Sequence, residues 1–178
     1  MTLEQTLALN PFSKREGKEP EKEKKVELEV DETVERIFEG YKKLRDTREY
    51  NELKEGTSKL EVLKPAQIDK LLQWIRSETP RDKVENWITG DFLTGIIQDS
   101  YDAGYNDFVL TTADTEINEM GNGLEGTEEN PIKLDIKGIA GYRCGDNSKN
   151  SEFNIEGNVE GNCGSKSKNS TFNIKGDA

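Results

Sequence analysis

Residues 144–176 read "CGDNSKNSEFNIEGNVEGNCGSKSKNSTFNIKG", and the stretch says nearly the same thing twice. Cys144 and Cys163 stand nineteen residues apart, as do Gly145 and Gly164, Phe153 and Phe172, Ile155 and Ile174, Gly157 and Gly176. A fainter copy lies one step earlier, where Leu134, Asp135, Ile136 and Gly138 match Phe153, Asn154, Ile155 and Gly157. Thr115 and Ile117 continue the register into an earlier, degenerate turn. Self-similarity at a fixed short period marks a repeat architecture. The unit is too short for a helix pair. Its "EFNIEG" alternates, with Phe153 and Ile155 on one face and glycines at the corners. We therefore expect a short C-terminal parallel β-solenoid of about 19-residue repeats over residues 105–178. Stacked rungs place like on like: Phe153 on Phe172, an Ile136–Ile155–Ile174 ladder, an Asn154–Asn173 amide ladder, and Cys144 beside Cys163 as packed thiols. The competing arrangement, an antiparallel meander, would not set identical residues opposite one another.

The last match, Gly176, lies next to the final residues. An uncovered rung presents unpaired backbone groups and apolar side chains, which proteins cap or cover. A second copy of the chain is the simplest cover, through a two-fold contact. The expected dimer interface is Phe172 and Ile174, supported by Phe153 and Ile155.

The preceding chain speaks differently. Residues 1–12 read as a short helical peptide, with Thr2 and Gln5 as a capping box and Leu3 and Leu7 on one face. Residues 13–25 lack any aliphatic or aromatic side chain and read as a charged flexible linker. Residues 26–104 read as a helical domain, opened by a short strand at residues 26–30. Asp31 caps a helix bearing Val34, Ile37, Phe38, Tyr41 and Leu44. Pro65 opens a second with Ile68, Leu71, Leu72 and Ile75 on one side. Thr79 and Pro80 start a third that Gly90 ends, and Asp91 starts a fourth that Gly104 closes. Trp74 and Trp87 read as core or shoulder residues. "NDFVLTT", residues 106–112, is the first strand. The fold class expected is α+β.

Composition limits the chemistry. Charged residues make up 34% of the 178 and hydrophobic ones 31%, so the core must be concentrated in a few segments. The absence of histidine excludes His-dependent metal sites and Ser-His-Asp or Cys-His catalysis. The Glu/Lys-rich usage is of a thermophile-like kind. No apolar run approaches a membrane span and no secretory signal is seen, which predicts a cytoplasmic protein without membrane contact.

The net charge of −11 is concentrated. Residues 89–135 carry eleven acids against one base, Lys133, whereas residues 136–178 carry six bases and five acids. That acidic middle disfavours direct binding to a nucleic-acid backbone and suits a basic protein or a nucleoprotein assembly, a ribosome-associated one being an example. Leu3, Leu7, Asp99, Asp102 and Asp107 are the expected partner-binding residues.

Three motifs point elsewhere. "GNGLEG", residues 121–126, matches G-x-G-x-x-G but lacks a following helix and sits among acids, so it reads as a Gly-rich corner. Asp114, Glu116, Asn118 and Glu125 fall at positions of a calcium loop whose obligatory glycine is replaced by Glu119. Asp99, Asp102 and Asp107 offer carboxylates for acid–base work. The reading that follows is a non-catalytic homodimeric binding or regulatory protein needing no metal or cofactor. The alternative is an Asp/Glu-dependent enzyme, using a divalent cation, with its site between the two domains.

Overall fold

The computed structural model describes residues 31–47, 61–80, 84 and 87–177. The expected N-terminal peptide with Leu3 and Leu7, the linker and the strand at residues 26–30 lie outside the described residues. The described residues hold three helices, α1 (Glu32–Thr47), α2 (Pro65–Glu78) and α3 (Trp87–Asp102), followed by four strands, β1 (Asp107–Ala113), β2 (Ile132–Gly138), β3 (Ser151–Ile155) and β4 (Thr171–Ile174). The class is α+β. Among these residues no helix is long and apolar enough to cross a membrane.

Punctuation in the sequence sets the helix ends. Asp31 Oδ1 accepts the Val34 N–H at 3.3 Å, an N-cap bond. Its carboxyl also accepts from Gln67 at 2.7 Å, and that bond holds its pKa below the usual value. Pro65 occupies the first turn of α2. At the far end of α3, Tyr105 N–H bonds Ser100 C=O and Gly104 N–H bonds Tyr101 C=O, with Gly104 at φ +104°. This is a Schellman motif, and it needs the left-handed residue that glycine supplies.

One expected boundary moves. Gly90 does not end a helix and Asp91 does not begin one, because α3 runs through both. Gly90 is buried there, and a Cβ on it would lie 1.8 Å from the Asn118 carbonyl oxygen. The glycine marks a close backbone approach rather than a helix end.

The sheet is parallel throughout, in the order β1-β2-β3-β4. The antiparallel meander is thereby set aside. Leu134 faces Phe153 and Phe153 faces Phe172, while Ile136 faces Ile155 and Ile155 faces Ile174. The Phe153 and Phe172 rings stack at 4.7 Å between centroids and 3° between planes. Asn173 donates to Asn154 Oδ1 and Asn154 to Asp135 Oδ1, each at 2.8 Å, forming the expected amide ladder.

The pairing of β1 departs from expectation. Phe108 faces Leu134 and Leu110 faces Ile136, so Thr115 and Ile117 are not the strand partners. Between strands the chain turns through three alike corners. Each has left-handed residues at alternate positions: Glu119, Gly121 and Gly123; Arg143, Gly145 and Asn147; Asn162, Gly164 and Lys166. The corners stack by backbone bonds, Gly145 N–H to Met120 C=O and Gly164 N–H to Cys144 C=O, both at 2.9 Å.

Helices and strands share one buried core. It joins Tyr41, Leu71, Leu72 and Phe92 to Phe108, Met120, Leu134, Cys144 and Phe153. Trp74 packs at its margin, stacked on Phe38 at 5.2 Å.

Candidate functional site

The two ends of the sheet are treated differently, and the difference defines the site. At the β1 end, polar side chains of α2 take the place of a missing strand. Asp69 Oδ1 accepts the Thr111 N–H at 2.7 Å, while Gln73 and Arg76 donate to the Thr111 C=O at 2.8 and 3.2 Å. Side chains of α3 do the same for the first corner. Thr94 Oγ1 accepts the Gly121 N–H at 2.7 Å and donates to the Gly90 C=O. Gln98 both accepts the Glu125 N–H and donates to the Glu125 C=O, at 2.9 and 3.2 Å, as a neighbouring strand would. Tyr101 Oη accepts the Thr127 N–H and donates to the Asn130 C=O.

The β4 end has no such cover among the described residues. Three ladders show it. Phe108, Leu134 and Phe153 are fully buried, but Phe172 is half-buried. Leu110, Ile136 and Ile155 are at most 1% exposed, but Ile174 is half-buried. Met120 and Cys144 are fully buried, but Cys163 is half-buried. Each ladder opens at its last step. Phe172 and Ile174 thus stand at the edge, while Phe153 and Ile155 lie one strand in and support them from the core.

Sequence reading did not find the residues that close the β1 end. A signal was present. Asp69, Gln73 and Arg76 recur at i, i+4 and i+7, and so do Thr94, Gln98 and Tyr101. Each set makes a polar stripe on one helix face. Such a stripe resembles a solvated surface until a strand edge is known to lie against it.

The expected partner-binding acids lie elsewhere. Asp102 and Asp107 are exposed and Asp99 is half-buried. Asp102 accepts from Gln98 at 3.1 Å. The Asp99 carboxyl is pushed above the usual range, first by burial and then by the charge of Asp102. A carboxyl raised in the folded state destabilises it when ionised, and that penalty is lifted as pH falls through the raised pKa. Asp99→Asn should therefore stabilise the protein at pH 7, by under about 1 kcal/mol once solvent screening is allowed for. The gain should vanish below about pH 4, near the unperturbed carboxyl range. Urea unfolding of both proteins across pH checks this, and a gain that persists in acid contradicts it. A groove of about 410 Å³ is lined by Thr127, Glu128, Asn150, Glu152, Asn169 and Thr171, not by these aspartates.

Three acids of the calcium-like loop are engaged separately. Glu119 bridges Arg143 at 2.9 Å, Asp114 faces Arg76 at 3.7 Å, and Glu125 pairs with Lys149. Asn118 Oδ1 accepts the Tyr142 N–H. Among the described residues no group of His, Cys, Asp or Glu is arranged to hold a metal ion. "GNGLEG" forms the first corner, and every amide from Gly121 to Gly126 donates inside the protein. None of the six is left to hold a phosphate.

The cysteines are free thiols on stacked corners, Cys144 buried and Cys163 half-buried. A hydrogen bond between the thiols holds Cys163 below the ordinary thiol range and, with burial, pushes Cys144 well above it.

No family model, no curated protein and no solved structure matches this chain.

Proposed function

We propose that this chain is a non-catalytic binding protein that assembles as a homodimer through the open β4 edge. In this reading residues 105–178 are a short parallel β-solenoid, closed at one end by α2 and α3 and at the other by a second copy. The observation that carries it is the asymmetry of the ladders: every interior position is buried until Phe172, Ile174 and Cys163.

A second copy suits the edge. The exposed row of β4 is Thr171, Phe172, Asn173 and Ile174, with no charge in it. A two-fold axis at Asn173 sets β4 antiparallel to its copy, with Phe172 opposite Ile174 and Asn173 opposite itself. An amide carries both donor and acceptor and so pairs with itself, where a carboxylate or ammonium would repel. Residues 136–178 are also nearly neutral, so two copies meet there without bringing their acidic segments together. That segment, with Asp99, Asp102 and Asp107 on it, stays available for a basic protein or nucleoprotein partner. Residues 1–25, with Leu3 and Leu7, supply a second contact.

Ile174→Lys tests the dimer. Lost apolar burial and a charge set opposite Phe172 of the second copy should weaken association on the order of 100-fold, with the circular dichroism of the helices retained. Light scattering during gel filtration reads the mass of each protein. A wild type that is monomeric at micromolar concentration, or a variant that stays dimeric, sinks the reading.

A further inference from the structure

Two nucleophilic side chains have no chemical role in the proposed dimer, and they stand together. Cys144 and Cys163 occupy the same position on successive corners. Arg143 and Asn162 precede them at φ 59° and 62°, and Gly145 and Gly164 follow at φ 66° in both. The Gly164 N–H bonds the Cys144 C=O at 2.9 Å. The register is held on both sides, by Ala140 facing Val159 before the pair and by Lys149 facing Lys168 and Phe153 facing Phe172 after it. Two side chains leaving like backbones in parallel register point the same way. Neighbouring parallel strands lie about 4.8 Å apart, inside the roughly 4.4–6.8 Å Cα window for a disulfide.

We infer that Cys144 and Cys163 form a peroxide-oxidisable dithiol, in which Cys163 is oxidised first and Cys144 resolves. Exposure separates the roles. Cys163 is half-buried and reachable, while Cys144 is fully buried and is reached only through Cys163. The sulfur of Cys163, as thiolate, attacks one oxygen of hydrogen peroxide. The O–O bond breaks, the departing hydroxide takes up a proton, and Cys163 becomes a sulfenic acid. The sulfur of Cys144 then attacks that of Cys163. The S–O bond breaks, and a second water leaves with the proton of Cys144. Two thiols and one peroxide yield one disulfide and two waters. The bond ties the outermost corner to the one beneath it and places no demand on the helices.

The full-length chain, treated with hydrogen peroxide, blocked with an alkylating reagent in denaturant and weighed intact, gives the test. The expected product has lost two hydrogens, takes up no reagent and yields on digestion a linked peptide containing Cys144 and Cys163. A reductant restores two alkylations. Cys144→Ser should instead carry oxygen on Cys163 or link two chains through it. Cys163→Ser should leave Cys144 reduced and alkylated only after denaturation. Wild type whose thiols both stay alkylatable overturns the proposal. So does one whose Cys163 proceeds to sulfinic acid while Cys144 remains free, and so does one linked solely between chains.

Discussion

Phe153→Ala should be the most damaging apolar truncation in the sheet, costing about 3–5 kcal/mol. The ring has no exposed surface. It lies between Leu134 on one side and Phe172 on the other, and the Phe172 ring stacks on it in near-parallel contact. It also reaches across to the corners. A Cβ on Gly121 would lie 2.6 Å from the Phe153 ring, and one on Gly145 would lie 2.9 Å from it. The ring therefore fills the space that those two left-handed glycines leave. Alanine would empty that space, and the corners would not collapse into it, because Gly145 is held to Met120 and Gly121 to Thr94 by backbone donors. Phe172→Ala removes the same ring from the half-buried edge. At concentrations where the protein is monomeric, it should cost less, about 1–2 kcal/mol. Urea unfolding followed by circular dichroism measures both. Equal losses for the two variants in the monomer would mean that the β4 edge is covered as well as β3 is.

Much of the architecture could be read from the sequence, because local chemistry and global packing agree there. Asp31, Pro65 and Gly104 sit at helix ends for reasons that need no tertiary context. The register of β2, β3 and β4 was legible because strand and corner repeat together. The register of β1 was not, for a specific reason. Phe108 to Met120 spans twelve residues, where Leu134 to Cys144 and Phe153 to Cys163 span ten. Met120 to Leu134 spans fourteen, where Cys144 to Phe153 and Cys163 to Phe172 span nine. Two insertions flank the first corner, so a fixed step of nineteen lands on Thr115 and Ile117 and passes over the strand. The corner itself kept its alternation of left-handed residues, but Glu119 holds the first of those positions and hides it from a glycine count. Of the open edge, Phe172 and Ile174 were legible as the last members of their ladders. The closure of the opposite edge was not, since its residues are polar and lie far off in sequence.

Gly90→Ala should destabilise the protein by about 2 kcal/mol or more, against what helix propensity alone dictates. Alanine is favoured over glycine in a helix interior by roughly 1 kcal/mol. If Gly90 were only a weak point in α3, the substitution would therefore stabilise. But the added methyl would lie 1.8 Å from the Asn118 carbonyl oxygen and 2.9 Å from the Met120 nitrogen. Both are backbone atoms, so no side-chain rotation relieves the clash. The first corner must move away from α3 by more than an ångström, and it is tethered in several directions. Glu119 N–H bonds Tyr142 C=O at 2.8 Å, and Asn118 Oδ1 accepts the Tyr142 N–H at 2.8 Å. On the α3 side, Thr94 joins Gly90 C=O to Gly121 N–H at 2.7 Å each, so separation breaks that relay as well. Overpacking a well-filled interior costs about 1–3 kcal/mol and occasionally more, and the lost relay adds to it. The net effect is a loss, because the clash exceeds the propensity gain. The check is the urea midpoint at fixed protein concentration, since any self-association makes apparent stability concentration-dependent. A Gly90→Ala protein as stable as wild type, or more so, would show that α3 and the first corner do not meet through this glycine.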